Sequence, residues 1–226
     1  MTELGSWIKD YLHLLKGYSL MYLHYKPPHH YLGFTIEGKV PVILIPGIAE
    51  RWGFLKSLGD KISLDGHPVY IVPKLGHNMI NIPKSAMIIK DLIEENKLKN
   101  VIIVAHSKGG LIAKYLLVHF NKDNAVKGVI AIATPFSGSA LARLIRHKSF
   151  KELSPSSKLI QDLNSHTTIN NRIISIYPSF DNHVPEGSIL ANAENIKVNV
   201  KGHHKILFDK KVQEVVIEKI DKLTKS

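Results

Sequence analysis

The 226-residue chain has 44% hydrophobic and 22% charged residues, a composition that excludes an intrinsically disordered protein and suffices for one sizeable core. It has no cysteine, which excludes disulfides, a thiolate nucleophile and cysteine-based metal sites. The formal net charge is +11, but the lysines are spread along the chain and only four of the basic residues are arginine, so no specific nucleic-acid partner is predicted.

The first 38 residues differ from the rest of the chain. Apolar residues at helical spacing predict an amphipathic helix before Gly17, which we expect to pack on the domain, with contact to a membrane surface through residues 1–25 as the alternative. A connector, residues 26–30 (KPPHH), follows. The apolar stripe consists of Leu4, Trp7, Ile8, Tyr11, Leu12 and Leu15.

Neither a secretory signal nor a spanning helix is predicted, so we expect a cytoplasmic protein, with a location peripheral to a membrane as the alternative.

From residue 39 onward, short apolar runs alternate with helical patterns. Such runs are typical of strands covered on both faces, and the alternation predicts a single α/β domain over residues 39–226, with a mostly parallel sheet of about six strands and helices on both faces. The predicted strands are residues 40–45, 69–72, 101–105, 128–133, 173–177 and 196–200. The predicted helices are residues 84–95, 109–120, 139–147 and 210–223.

A serine follows the third predicted strand, in residues 105–110 (AHSKGG). A glycine two residues after Ser107 permits a sharp turn from strand to helix, as in the G-x-S-x-G nucleophile elbow, although Ala105 stands where that motif has its first glycine. The turn would expose the hydroxyl at the carboxyl end of the sheet, where ligands of open α/β sheets bind. The alternative is a serine that only caps the next helix.

A serine nucleophile needs a histidine base, and that histidine needs an acid. Asp181 follows the fifth predicted strand and is the preferred acid, because Asp162 lies in a helical stretch and Glu186 lies beyond the turn. A structural turn role for Asp181 is the alternative.

From about residue 39 to residue 220, the chain resembles the compact lipase and esterase group of the α/β-hydrolase superfamily. The matching segments occur in the order expected for that group. They are residues 42–48 (VILIPGI), 105–110 (AHSKGG), 133–139 (ATPFSGS), 179–184 (SFDNHV) and 202–207 (GHHKIL).

The resemblance implies a Ser107–His203–Asp181 triad. His203 matches the family's histidine through the preceding glycine and the aliphatic residues that follow, with His204 as the fallback. The implied oxyanion donors are the backbone N–H groups of Ile48 and Lys108, although Pro46 stands where many relatives have histidine, which puts the rigidity of that loop in question. The implied reaction is hydrolysis of carboxylic esters, lipid or acyl esters above all, through an acyl-enzyme.

The sequence is compatible with several alternatives. A thioesterase or acyltransferase would use the same triad, and a non-catalytic binding or membrane-docking protein would use none of it. Residues 138–172 form either a small cap over an acyl pocket or an ordinary crossover helix with a loop. No cofactor and no metal ion are predicted, and the oligomeric state is undetermined by the sequence.

Other polar residues near these motifs have alternatives of their own. The side chain of Lys108 either reaches solvent or an acid, or its charge favours anionic substrates. We expect His106 to support the elbow. One alternative for His77, in the loop after the second predicted strand, is that it lines the pocket. His29 and His30 are expected to belong to a solvated connector rather than to a metal site.

Overall fold

The computed structural model describes residues 3–225. Residues 1 and 2, which belong to the predicted N-terminal segment, and the side chain of Leu4 in its apolar stripe lie outside the described part. Eight α-helices occur within the described residues. They are α1 (Glu3–Leu23), α2 (His30–Gly33), α3 (Lys56–Leu64), α4 (Ile82–Glu95), α5 (Lys108–His119), α6 (Lys148–Lys151), α7 (Lys158–Ser165) and α8 (Lys210–Lys225).

Six strands form one sheet in the order β2-β1-β3-β4-β5-β6, and every neighbouring pair is parallel. This confirms the predicted α/β fold with a sheet of six strands. The strands are β1 (Val42–Ile45), β2 (Val69–Tyr70), β3 (Val101–His106), β4 (Val126–Ile132), β5 (Ile173–Phe180) and β6 (Glu194–Lys201).

The core consists of two apolar layers, one on each face of the sheet. Successive strand residues point to opposite faces, so Ile103 of β3 packs in the layer with α4 and α5, and Ile102 packs in the layer with α3 and α8. Every residue of β1 and β3 is buried. Each such Val, Ile or Leu side chain contributes about 1.5–3 kcal/mol by its removal from water, which explains why these strands have continuous apolar sequences.

The helices differ from the prediction in several places. The helix expected over residues 139–147 is only a 3-10 turn (Ala140–Leu144), because its apolar side chains face a cavity instead of packing on the sheet and Ile145 is already extended. Helix α3 was not predicted, since its sequence (KSLGDKISL) contains a glycine and begins without a capping side chain. Each of the six predicted strands is present in the structure, and only the residues at which the strands begin or end differ from the prediction.

Helix α1 runs past the predicted end at Gly17, where a Cβ atom would overlap the ring of Phe54. The helix packs on the domain with the face that carries Asp10, Gly17 and Met21. The predicted apolar stripe therefore does not form the main contact, and its members Ile8, Leu12 and Leu15 are exposed. No helix within residues 3–225 has both the length and the hydropathy needed to cross a bilayer.

Candidate active site

The site lies where the strand order reverses. Strand β1 lies between β2 and β3, so the chain leaves β1 toward one edge of the sheet and returns on its other side. In open α/β sheets, ligands bind at the carboxyl ends of the strands beside such a point. Two loops meet there, residues 46–50 after β1 and the turn at Ser107 after β3.

Ser107 forms a strained turn between β3 and α5. Its backbone has φ 50° and ψ −121°, a conformation that L-residues rarely adopt and that costs about 1–3 kcal/mol. The turn needs Gly109, where a Cβ would lie 2.5 Å from the carbonyl oxygen of Ile45. The side chain of Ser107 makes no capping hydrogen bond to α5, all of which is described, so the helix-cap alternative does not apply.

The structure brings Asp181 and His203 together. His203 Nδ1 donates to Asp181 Oδ2 at 2.9 Å, and Oδ1 of the same carboxylate accepts the backbone N–H groups of His183 at 2.8 Å and Val184 at 2.9 Å. Burial by itself would raise the pKa of Asp181, but His203 and the two backbone donors lower it below its usual range. The carboxylate is therefore ionised and fixes the tautomer of His203.

The alternative acids and the fallback histidine have other partners. Asp162 lies 3.2 Å from His119, and Glu186 accepts the backbone N–H of Ala140 at 2.7 Å. His204 donates from Nδ1 to Asp10 of α1 at 3.1 Å. Of the two adjacent histidines, His203 is thus the one that Asp181 orients.

Glu50 and His106 link the loop after β1 to the catalytic candidates. Glu50 Oε2 accepts from Gly47 N at 2.6 Å and from His106 Nδ1 at 3.0 Å, while His106 Nε2 donates to the backbone oxygen of His203 at 3.2 Å. Both ring nitrogens face acceptors, which only the imidazolium form can satisfy. Burial would lower the pKa of His106, but Glu50 raises it above its usual value, and the pKa of Glu50 is lowered in turn.

Two backbone donors are available beside Ser107. The N–H groups of Ile48 and Lys108 donate no hydrogen bond to any partner within residues 3–225, and Ile48 lines the same cavity as Ser107. The loop that carries Ile48 is held by hydrogen bonds without a histidine at position 46, because Asn78 Nδ2 donates to the Pro46 oxygen at 2.7 Å and Glu50 Oε2 accepts the N–H of Gly47. An oxyanion between the two donors would be stabilised by both.

A cavity of about 240 Å³ opens beside Ser107. Its polar lining includes His203, so the predicted nucleophile and base face the same space. Its walls are apolar and come from two sides, from α1 and from residues 138–153, called the covering segment. The apolar lining residues are Leu14, Tyr18, Ile48, Ala49, Pro135, Leu141, Ala142, Ile145, Phe150, Leu153 and Val184.

The side chain of Lys108 reaches an acid and not the cavity. It is fully buried, with Nζ 3.2 Å from Glu152 Oε1 and donating to the backbone oxygen of Ile80 at 2.5 Å. His77 is absent from the lining of the cavity, all of which is described. His30 begins α2, its Nδ1 lies 2.9 Å from Ser63 Oγ, and it is absent from the lining of the cavity.

One group with metal-ligand geometry lies near the site. Ligand atoms of Asp10, His183 and His204 all lie within 4.8 Å of one another. The carboxylate of Asp10 already accepts the backbone N–H groups of His204 at 2.8 Å and Lys205 at 2.9 Å besides the His204 ring. Hydrogen bonding therefore accounts for Asp10 and His204 without an ion, whereas His183 Nε2 is buried without a hydrogen-bond partner within residues 3–225.

Three polar residues of the site were not predicted from the sequence. Glu50 and Asp10 are acids within apolar stretches, which is the only local signal of their burial. Asn182 accepts the backbone N–H of His203 at 3.2 Å and so joins the acid loop to the histidine loop. Its position directly after Asp181 could have suggested a turn role.

Solved structures share this architecture. The lipase BlEst2 of Bacillus licheniformis in its mature form superposes with a TM-score of 0.68 at 15% identity, covering 86% of this chain and 96% of that one. The α/β-hydrolase MGS-MChE2 from a lagoon-sediment metagenome superposes with a TM-score of 0.63 at 14% identity, covering 81% of this chain and 91% of that one. The monoacylglycerol lipase of Paleococcus ferrophilus superposes with a TM-score of 0.55 at 15% identity, covering 83% of this chain and 96% of that one. At these identities the similarity establishes the fold.

The sequence itself matches a family. The model of the PGAP1-like alpha/beta domain matches residues 76–215, which is more than half of the chain and includes the elbow and both the acid and histidine loops. The chain therefore belongs to the PGAP1-like alpha/beta domain family of the α/β-hydrolase superfamily.

Proposed function

We propose that this protein is a serine hydrolase that cleaves carboxylic esters with apolar acyl groups, lipid esters among them. The observation that carries the proposal is the strained turn that exposes Ser107 to an apolar cavity shared with His203. Strained backbone persists where the surrounding structure holds it, and it is concentrated at reactive positions. The lipases among the similar structures are consistent with this class of substrate.

The mechanism uses three side chains. His203 Nε2 removes the proton of Ser107 as its Oγ attacks the ester carbonyl carbon, and the carbonyl oxygen becomes an oxyanion. Asp181 stabilises the imidazolium that forms, through the 2.9 Å hydrogen bond to Nδ1. Collapse of the intermediate expels the alcohol, which takes the proton from His203, and leaves an acyl group on Ser107. Water then attacks this ester by the same steps and releases the acid.

The oxyanion would receive hydrogen bonds from the N–H groups of Ile48 and Lys108. Each such donor lowers the barrier by roughly 3–4 kcal/mol in related sites. Glu50 holds the loop that carries Ile48, and His106 connects that loop to the backbone of His203. The oxyanion donors and the base therefore keep a fixed separation before substrate binds.

Apolar walls favour an apolar acyl group. The cavity places only a few polar groups beside Ser107, and both α1 and the covering segment contribute aliphatic or aromatic side chains. A thioesterase or an acyltransferase on the same triad would share these walls. Dependence of the rate on an added alcohol or amine acceptor would identify acyl transfer, and a preference for thioesters over matched oxygen esters would identify a thioesterase.

Labelling with a fluorophosphonate tests the nucleophile. We expect covalent labelling of one tryptic peptide at Ser107, its loss in Ser107→Ala, and its retention in Ser156→Ala, a matched change at an exposed serine. Hydrolysis of p-nitrophenyl esters of increasing chain length then tests the substrate class. Labelling at another serine, or none in folded protein, would overturn the assignment.

A further inference from the structure

Helix α1 presents an apolar face to solvent. Ile8, Leu12 and Leu15 are exposed, Leu15 to 64%. The helix cannot rotate to bury them, because Asp10 and Gly17 fix its opposite face against the domain. A helix in a single domain normally buries its apolar stripe, so this inverted arrangement indicates a further partner.

A second exposed patch lies on the segment that covers the cavity. Leu144 in this segment is 79% exposed and does not line the cavity. Residues 139–151 (SALARLIRHKSFK) contain no acidic residue. Arg146, Lys148 and Lys151 are exposed, and no ion pair joins them to an acid within residues 3–225.

The two patches flank one opening. Leu14 and Tyr18 of α1 line the cavity together with Leu141 and Ile145 of the covering segment. Tyr11 also packs edge-on against His183, whose backbone oxygen accepts a hydrogen bond from Ser139 at the start of that segment. Helix α1 and the covering segment thus border the same cavity, and their exposed sides together form the candidate docking face.

We propose that this face docks on a lipid bilayer that contains anionic phospholipid. Helix α1 would lie in the interface with Ile8, Leu12 and Leu15 among the acyl chains, as amphipathic interfacial helices do. The basic residues of the covering segment would meet the headgroups. The mouth of the cavity would then face the membrane, and if the proposed ester hydrolysis is correct, a lipid ester reaches Ser107 without crossing water.

Charge favours an anionic surface over a second copy of this chain. In a twofold dimer the same patch meets itself, so the basic segments of two chains with a formal charge of +11 each would face one another. Like charges that are brought together in this way oppose association, whereas an anionic bilayer attracts them.

Vesicle sedimentation tests the proposal. The full chain is used as Ser107→Ala, so that binding is measured without turnover, with vesicles of phosphatidylcholine alone or mixed with phosphatidylglycerol. We expect binding to the mixed vesicles and much weaker binding to phosphatidylcholine. Leu12→Glu with Leu15→Glu, and Leu144→Glu separately, should each weaken binding by about tenfold or more. Arg146→Gln and Lys148→Gln should each weaken it by roughly fivefold.

Leu64→Glu is the matched control, because Leu64 is 67% exposed at the end of α3 and lies outside the cavity lining. It should bind as the parent does, and circular dichroism verifies the fold of each variant. The proposal would be overturned if the parent failed to sediment with vesicles or if it bound both vesicle types equally. It would also be overturned if Leu64→Glu lost as much binding as the other leucine variants. A dimer in solution that the leucine variants dissociate would overturn it as well. An inactive wild-type chain that still sediments would refute only the hydrolase function.

Discussion

Asp10 and His204 form a buried pair across 194 residues of sequence. His204 directly follows the candidate base His203, and Asp10 lies in the first helix. Burial by itself would raise the pKa of Asp10, but the His204 ring and two backbone donors lower it well below its usual range. Burial lowers the pKa of His204, so a neutral ring donates to an ionised carboxylate. The pair thus ties the N-terminal helix to the histidine loop.

Asp10→Asn should destabilise the protein by about 3 kcal/mol, because the amide cannot accept all the hydrogen bonds that the carboxylate accepts. Urea unfolding at neutral pH measures the loss, and Asp123→Asn, at an exposed position, is the matched control. Because the folded-state pKa of Asp10 is lowered, its contribution is present above the unfolded pKa and disappears as the pH falls below it. The difference between wild type and variant should therefore shrink in acid; a constant difference would contradict this origin.

The Glu50–His106 pair should affect catalysis through position. Glu50→Gln removes the charge that raises the pKa of His106, so the ring deprotonates and can no longer serve both of its acceptors. We expect kcat for a soluble ester to fall about tenfold with little change in KM, since loss of one such hydrogen bond costs roughly 1–2 kcal/mol. A change confined to KM would show that the loop only shapes the pocket.

The Glu50–His106 pair should also affect the free energy of unfolding. The folded-state pKa of His106 is raised, so the stabilisation by the pair is complete below the unfolded pKa and is lost as the pH rises through the folded value. Urea unfolding of wild type and Glu50→Gln near pH 6 and near pH 9 measures this. The gap between the two proteins should be larger near pH 6, and a gap that widens toward pH 9 would contradict the assignment of the imidazolium.

The strands and the elbow could be predicted because their signals are local. A buried parallel strand needs consecutive apolar residues, and the turn at Ser107 needs Gly109 close in sequence. The face on which α1 packs could not be predicted in this way. Apolar periodicity favours burial of its leucines, but the structure buries Asp10 instead, because its hydrogen-bonding partners come from the far end of the chain. Glu50 is a similar case, since His106 lies 56 residues away.

Lys108→Met should destabilise the protein without changing its preference between anionic and neutral esters. The ammonium is buried against Glu152, and its removal leaves that carboxylate and the Ile80 carbonyl without this donor. The expected cost is about 3 kcal/mol, and Lys108→Met with Glu152→Gln should recover part of it because no charge is then left unpaired. Urea unfolding measures both. A selective loss of activity on anionic esters would instead indicate contact between Lys108 and substrate.

Lys114→Met should stabilise the protein. Lys114 Nζ is buried in α5 with no hydrogen-bond partner in the described chain, 5.9 Å from the centre of the Phe136 ring, and burial lowers its pKa from 10.5 to about 8. Because the folded state holds the proton less tightly than the unfolded state, the lysine destabilises the fold at neutral pH by roughly 3 kcal/mol. Methionine fills similar space without a charge. Urea unfolding at pH 7 should show that the free energy of unfolding of Lys114→Met exceeds that of wild type by an amount approaching this value.

The pH dependence of this gain separates desolvation from packing. The free-energy penalty of burying Lys114 declines as the pH rises from about 8 through 10.5, above which the lysine is neutral in both states. The advantage of Lys114→Met over wild type should therefore be smaller near pH 9.5 than at pH 7. Lys84→Met, at an exposed position of α4, is the control and should change stability little at either pH. A gain of equal size at both pH values would assign the effect to packing of the methionine instead of to the buried charge.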